Sequence, residues 1–276
     1  MKEFNHKLAL ITGGSSGIGL ALAKELARHG MRIAILSRRM DALEQARDNI
    51  LAAGAPEVYV IAADVADWQE IDTKITQFLK DVGVPDLLVN CAGVVRPGHF
   101  EELDMELFHW MVNTNLMGTI HLCKAVSPGM LARGSGHIVN ISSMAGLIGT
   151  FGYSAYSASK FGIRGFSDVL RSEFKHRGIH VASVYPPDTD TPQLAGEMPY
   201  KPAVTRALSA AASVMKPEAV ARDIVRGIQT NRAMIIPGLE GKLLHFLSNL
   251  PFRLGYQILD LLVADALKKA EKEKSK

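Results

Sequence analysis

Short apolar runs alternate along this chain with longer stretches in which apolar residues recur every three or four positions. The strand-like runs are Leu8–Thr12, Ile33–Leu36, Val58–Ala62, Asp86–Asn90, Gly136–Ile141 and His180–Tyr185. Between them, helical spacing predicts helices over Ile18–Arg28, Asp41–Ala53, Trp68–Leu79, Glu106–Arg133 and Ser154–His176, with Asp41 as an N-cap. Strands written as nearly continuous apolar runs are buried on both faces, which indicates a parallel sheet covered by helices on either side. Right-handed crossovers make that an α/β doubly wound sheet. No repeat or low-complexity linker divides the chain, so one domain is expected over residues 1–238, with a helical extension over 239–276.

Composition narrows the class. At 276 residues, 47% hydrophobic and 21% charged, the chain is ordinary for a globular protein and long enough for a large core. A net charge of +3 gives no case for nucleic acid. Cys91 and Cys123 form no CxxC, so no disulfide framework is expected and a reducing compartment suits them. Residues 1–7 are polar and run straight into the first strand, unlike a signal peptide, and a cytoplasmic location is expected. The nine histidines are scattered with no HExxH, so no metal site is expected.

Two patterns carry chemistry. The first strand ends in Thr12-Gly13-Gly14-Ser15-Ser16-Gly17-Ile18-Gly19 before a helix. Glycines allow close backbone approach, and the free N–H groups of a helix start attract a pyrophosphate. Gly13, Ser15, Ser16, Gly17, Ile18 and Gly19 are therefore candidate dinucleotide ligands, in a fold of Rossmann type. The second strand ends in Ser37-Arg38-Arg39, where an NAD site usually carries an acid. Arginine suits a 2′-phosphate, so Arg38 and Arg39 predict NADP(H). The second pattern is Tyr156-Ser-Ala-Ser-Lys160. On a helix both side chains share a face, and a nearby ammonium would lower the phenol pKa from ~10 towards neutrality.

Together these motifs resemble the short-chain dehydrogenase/reductase family from about Lys7 to Ile236. The glycine loop matches its TGxxxGxG pattern, and Asn90-Cys91-Ala92-Gly93 matches its NNAG motif with Cys in second place. The resemblance implies that Asp64, beside Val65, meets adenine, and that Asn90 lies on the cofactor. Pro186, Thr189 and Thr191 stand in its PGxxxT segment, with Thr191 expected on the carboxamide. It implies that Tyr156 donates a proton to a carbonyl oxygen as hydride arrives from the nicotinamide. Ser143, thirteen residues earlier, would hydrogen-bond that oxygen. Lys160 would hold the ribose, and Asn115 would hold water linking Lys160 to solvent. Ser142, Asn113 and Tyr153 are rivals for the serine, asparagine and tyrosine roles; spacing favours Ser143, Asn115 and Tyr156.

Within the family, Tyr185-Pro-Pro-Asp-Thr-Asp-Thr-Pro192 resembles the 3-ketodihydrosphingosine reductases, with Pro187 where most members have glycine. Lys201-Pro202, Thr205-Arg206 and Ser213–Glu218 extend that likeness. It implies NADPH-dependent reduction of a long-chain keto-lipid in sphingolipid metabolism. A steroid, retinoid or other bulky apolar carbonyl is the alternative, and a non-catalytic nucleotide sensor a remote one. Asp188 and Asp190 have two open readings, a contact with a substrate amino group or a turn cap. The eukaryotic reductases carry an N-terminal membrane helix without a counterpart here, and Ala42 replaces a basic residue.

Leu243–Val263 is apolar but interrupted by Pro251, Arg253 and Asp260, so no stretch reaches the ~18–20 residues of a spanning helix. Leu254, Ile258, Leu261 and Leu262 fall at helical spacing, and the tail from Lys268 is charged. Two readings are open: peripheral contact with a membrane, or packing over the cleft or in a homo-oligomer, since family members form dimers and tetramers.

Overall fold

In the computed structural model, which describes residues 1–210, 213–248, 257 and 260–267, the apolar runs become one parallel sheet. Its strands are β1 (Leu8–Thr12), β2 (Arg32–Ser37), β3 (Val58–Ala62), β4 (Leu87–Asn90), β5 (Gly136–Ile141), β6 (Ile179–Val184) and β7 (Met234–Ile235). Their order is β3-β2-β1-β4-β5-β6-β7, and every pairing is parallel. The labelled α-helices are α1 (Gly17–Arg28), α2 (Met40–Ala52), α3 (Trp68–Asp81), α4 (Met105–Val112), α5 (Gly118–Arg133), α6 (Ser154–Phe174), α7 (Pro192–Glu197), α8 (Ala203–Ala210), α9 (Pro217–Gln229) and α10 (Leu239–Ser248).

Strand β1 shows why both faces must be covered. Ala9 and Ile11 point into a core built with Leu22 and Leu26 of α1, Leu43 of α2 and Ile224 of α9. Leu8 and Leu10 point into a second core with Ile71 and Ile75 of α3, Leu122 of α5 and Leu170 of α6. Each such side chain contributes about 1.5–3 kcal/mol by leaving water.

Three features differ from the expected elements. Helix α2 begins at Met40 with Arg39 in the N-cap position, so Asp41 lies in the first turn instead of capping it. There it still meets the positive end of the helix dipole. The stretch from Glu106 to Arg133 is not one helix: a π-helical segment, Asn113–Met117, separates α4 from α5. Its wider turn leaves Asn113 exposed and puts Asn115 fully inside, where side-chain bonds hold it. Strand β7 has only two residues, too few for an alternating or apolar run to announce it.

One polar network crosses the second core. Asn90 and Asn140 are register partners on β4 and β5. Asn90 Nδ2 donates to Asn140 Oδ1 at 2.8 Å and to Cys123 Sγ at 3.2 Å, and Asn140 Nδ2 donates to Ser167 Oγ at 2.8 Å. Both cysteines are free thiols.

Beyond β7, α10 starts beside the strand ends, and a Cβ added at Gly241 would lie 3.4 Å from Met144 Sδ. Leu239, Leu243 and Phe246 of α10 are exposed, as are Leu261 and Leu262 in the helical residues 260–267. Pro251, Arg253, Leu254, Ile258 and the tail from Lys268 lie outside the described residues. Among the described residues, no helix is long and apolar enough to cross a membrane.

The loop entering β6 packs on the end of α5. Gly178 has φ of +80°, and a Cβ there would sit 1.9 Å from the Gly134 carbonyl oxygen. Both atoms belong to backbone, so neither yields cheaply. Gly178→Ala should therefore cost about 2–3 kcal/mol in urea unfolding; a change within about 0.5 kcal/mol would show that the two turns do not touch.

Candidate active site

The sheet reverses its winding between β1 and β4, and a crevice opens at their carboxyl ends. Thr12 Oγ1 closes its floor by accepting hydrogen bonds from the Cys91 and Ala92 amides, both at 3.0 Å. This ties the glycine loop to the loop after β4. A Cβ on Gly19 would lie 2.3 Å from Gly13 O, so only glycine lets α1 start this close to the loop. The first-turn N–H groups of α1 then face the crevice.

A cleft of about 260 Å³ runs from this loop past Cys91–Gly93 to Ser143, Tyr156 and Lys160, and on to the Pro186–Thr191 segment. Gly13, Ser16, Gly17, Ile18 and Gly19 line one end; Pro186, Thr189 and Thr191 line the other. Ser15 is half-buried in the loop but not on the cleft wall. Thr191 caps α7, its Oγ1 accepting from Leu194 N at 3.3 Å, and its methyl group would lie 3.1 Å from a Cβ on Gly17. Thr189 Oγ1 donates to Pro187 O at 2.8 Å.

Arg38 and Arg39 are exposed where β2 ends, beyond the cleft lining. Beside them the Ser37 hydroxyl is buried without a hydrogen-bond partner. Asp64 Oδ1 accepts from Ala66 N at 2.9 Å, which shapes the turn after β3, and Val65 is buried under it. The Asn90 side chain, expected on the cofactor, turns into the core. It is 2% exposed, outside the cleft lining, and its Nδ2 is spent on Asn140 and Cys123, while its Oδ1 is buried without a hydrogen-bond partner. A side chain that ends a fully covered strand turns into the core before the chain emerges at Cys91.

The catalytic candidates meet on α6 and the end of β5. Lys160 is 4% exposed and its ammonium donates to Ile141 O at 2.9 Å. It lies 5.5 Å from the centre of the Tyr156 ring. Ser143 lies beside the Tyr156 phenol, where its hydroxyl favours the ionised form, and its Oγ accepts from Ala145 N at 3.2 Å. The rivals are engaged elsewhere. Ser142 Oγ donates to Lys160 O at 2.9 Å, and Tyr153 OH donates to Glu197 Oε1 at 3.0 Å. Asn115 Oδ1 accepts from Val94 N at 2.7 Å, and its Nδ2 donates to Val94 O and Ser159 Oγ. Its amide thus positions the loop after β4 against α6. Any water it holds must be met through its backbone carbonyl, which already accepts from Thr119 Oγ1.

Electrostatics departs from the spacing argument. Desolvation pushes the Tyr156 pKa up, not down; the Ser143 hydroxyl opposes this, while the carboxylates of Glu197 and Asp188 add to it. Desolvation also pulls Lys160 down to about 8 and lifts the Cys91 thiol to about 11. Four residues apart on one face brings the two side chains together, but burial in the dry wall sets the direction of the shift.

Sequence reasoning missed the cluster on the far wall. Lys201 has a side chain only 1% exposed and pairs with Glu197 Oε1 at 2.9 Å. Burial raises the Glu197 pKa, and the bonds from Lys201 and Tyr153 pull it back. Asp188 lies 3.9 Å from the same ammonium. The signal was an acid and a lysine four residues apart, which on a surface means little.

The chain matches the short chain dehydrogenase family over residues 7–199. It is 41% identical over 227 residues to the 3-ketodihydrosphingosine reductase of Mus musculus, covering 80% of this chain and 68% of that protein. Among solved structures it resembles a short chain dehydrogenase/reductase from Burkholderia phymatum in complex with NAD, with TM-score 0.81, 27% identity, and 90% and 94% of the two chains covered. It also resembles L-sorbose reductase from Gluconobacter frateurii complexed with NADPH and L-sorbose, with TM-score 0.76, 25% identity, and 85% and 96% covered. The doubly wound sheet, the ordered motifs and these matches place the chain in the short-chain dehydrogenase/reductase family.

Proposed function

We propose that this oxidoreductase uses NADPH to reduce the ketone of a long-chain lipid, 3-ketodihydrosphingosine, to the alcohol. The observation that carries the reading is the meeting of Ser143, Tyr156 and Lys160 in one cleft that also reaches the glycine loop. The substrate rests on the likeness to the murine reductase and on the Tyr185–Pro192, Lys201–Arg206 and Ser213–Glu218 stretches.

The residues fit a dinucleotide with a 2′-phosphate. The start of α1 presents free amides to a pyrophosphate, and Ser37 has a buried hydroxyl without a partner beside the two exposed arginines. The cofactor, when bound, supplies hydride. The protein handles the proton. A carbonyl oxygen placed between the Ser143 and Tyr156 hydroxyls accepts from both, and the charge that develops there is stabilised by donors already aimed at it. With its pKa raised, Tyr156 keeps its proton at neutral pH and is loaded as the acid. Lys160, fixed by Ile141 O, keeps a cation under the phenol and offsets the phenolate that proton donation leaves.

We also propose that α10 and the helical residues 260–267 touch a lipid surface. Leu239, Leu243 and Phe246 are exposed on a helix that starts near Met144 of the cleft. Self-association is proposed through the face of α5 and α6, where Ile120, Leu131, Phe166 and Leu170 line an apolar groove.

NADPH oxidation should be fastest with 3-ketodihydrosphingosine when a steroid ketone and a short β-keto ester are run beside it. NADH in place of NADPH should lower kcat/KM by roughly tenfold or more, since it offers Arg38 no phosphate. A preference for NADH, or for the short ester, refutes the reading. Tyr156→Phe should leave NADPH affinity within about twofold while turnover falls roughly 10²–10⁴-fold; near-normal turnover would remove Tyr156 from the chemistry. In flotation with anionic liposomes, the full chain should rise with the vesicles and a chain ending at Gly238 should stay behind. Equal flotation of the two would exclude anchoring by this segment.

A further inference from the structure

We infer that Asp188 is a specificity-determining residue that holds a protonated amino group next to the reacting carbonyl. The inference rests on the proposed lipid-ketone reduction and names the head group that the cleft selects.

The far wall of the cleft holds two carboxylates and one ammonium. Lys201 is committed to Glu197 at 2.9 Å and reaches Ser209 Oγ at 3.4 Å. Glu197 is further held by Tyr153, so its two partners account for it. Asp188 is different. It lines the cleft, its side chain is 37% exposed, and its nearest cation is 3.9 Å away, beyond hydrogen-bond reach. The wall therefore carries one negative charge more than it can neutralise, and that charge faces the space beside Tyr156. Both carboxylates act on the Tyr156 phenol, and the Tyr153 ring, bonded to Glu197, lies 5.9 Å from the Tyr156 ring.

A neutral ketone gives such a wall nothing to bind, and the carboxylates oppose the phenolate that reduction creates. A substrate ammonium one carbon from the ketone removes both problems. It pairs with Asp188 on the partly exposed wall of the cleft and screens the phenolate as the proton leaves. Asp188 is also held rigidly: its carbonyl accepts from Met215 N at 2.9 Å, and Met215 O accepts from Asp190 N at 2.9 Å. Asp190, by contrast, is exposed and outside the cleft lining. Of the two acids in the segment, the geometry selects Asp188.

The test is a ratio. NADPH oxidation is measured with 3-ketodihydrosphingosine and with the same ketone in which hydrogen replaces the amino group, using wild type, Asp188→Asn and Asp190→Asn. The wild-type ratio of kcat/KM should favour the amino ketone by roughly tenfold to a hundredfold, a charge-assisted hydrogen bond's worth. Asp188→Asn should bring the ratio to within about threefold of one, with NADPH affinity retained; Asp190→Asn should keep the wild-type ratio. A ratio unchanged by Asp188→Asn, or a parallel loss with both ketones, overturns the role of Asp188 and leaves the reductase reading standing. Wild-type protein that binds NADPH but reduces neither ketone removes the reading itself, and this inference with it.

Discussion

A parallel sheet covered on both faces has only its strand ends to offer to water. That constraint organises this protein. Leu8–Thr12 and Leu87–Asn90 are buried throughout, so the chain becomes available for chemistry only where it leaves them, at Gly13 and at Cys91. Because the winding reverses between these two strands, both exits open on the same crevice. The exits of β5 and β6 add Ser143 and Pro186 beside them. Helix α6 needs only to cross this rim to place Tyr156 and Lys160.

Within the crevice, solvent exclusion decides the sign of each charge. The Tyr156 phenol and the Lys160 ammonium are neighbours, yet both are driven towards their neutral forms by the same dry surroundings. The protein answers with fixed dipoles. The Ile141 carbonyl meets the lysine, the Ser143 hydroxyl meets the phenol, and Asn115 ties the lining loop to α6. The stretches whose sequence resembles that of the sphingoid reductases converge on the opposite wall: Met215 braces Asp188, Lys201 pairs with Glu197, and Thr205 Oγ1 donates to Phe151 O at 3.0 Å.

Local chemistry was legible in the sequence and long-range chemistry was not. The glycine loop, the Tyr156/Lys160 spacing and Ser143 each sit in a short segment whose local structure is settled by its own residues, and the structure brings them to one cleft. Tyr153 and Glu197 are 44 residues apart, and nothing in either segment points to the other. The π-helical turn at Asn113–Met117 escaped because one extra residue barely disturbs a helical pattern. Asn90 belongs to a motif that adjoins the cofactor loop, yet its strand geometry turns its side chain inward, which the motif alone does not reveal. The pKa of Tyr156 was misjudged for a related reason: spacing counts neighbours and is blind to water.

The buried asparagines at the ends of β4 and β5 have a consequence for assembly of the sheet. In strands apolar on both faces, sliding one past its neighbour by a residue still buries apolar side chains, so hydrophobicity leaves alignment loosely determined. Asn90 opposite Asn140 removes that freedom. A one-residue slip would part the two amides, turn one towards the other core, and strand polar groups without partners, a penalty far larger than the apolar contacts would lose. These two amides act as a vernier for the sheet. By setting β4 against β5 to a single residue, they set the level at which Cys91 and Ser142 emerge, and with it whether the reacting groups meet at all.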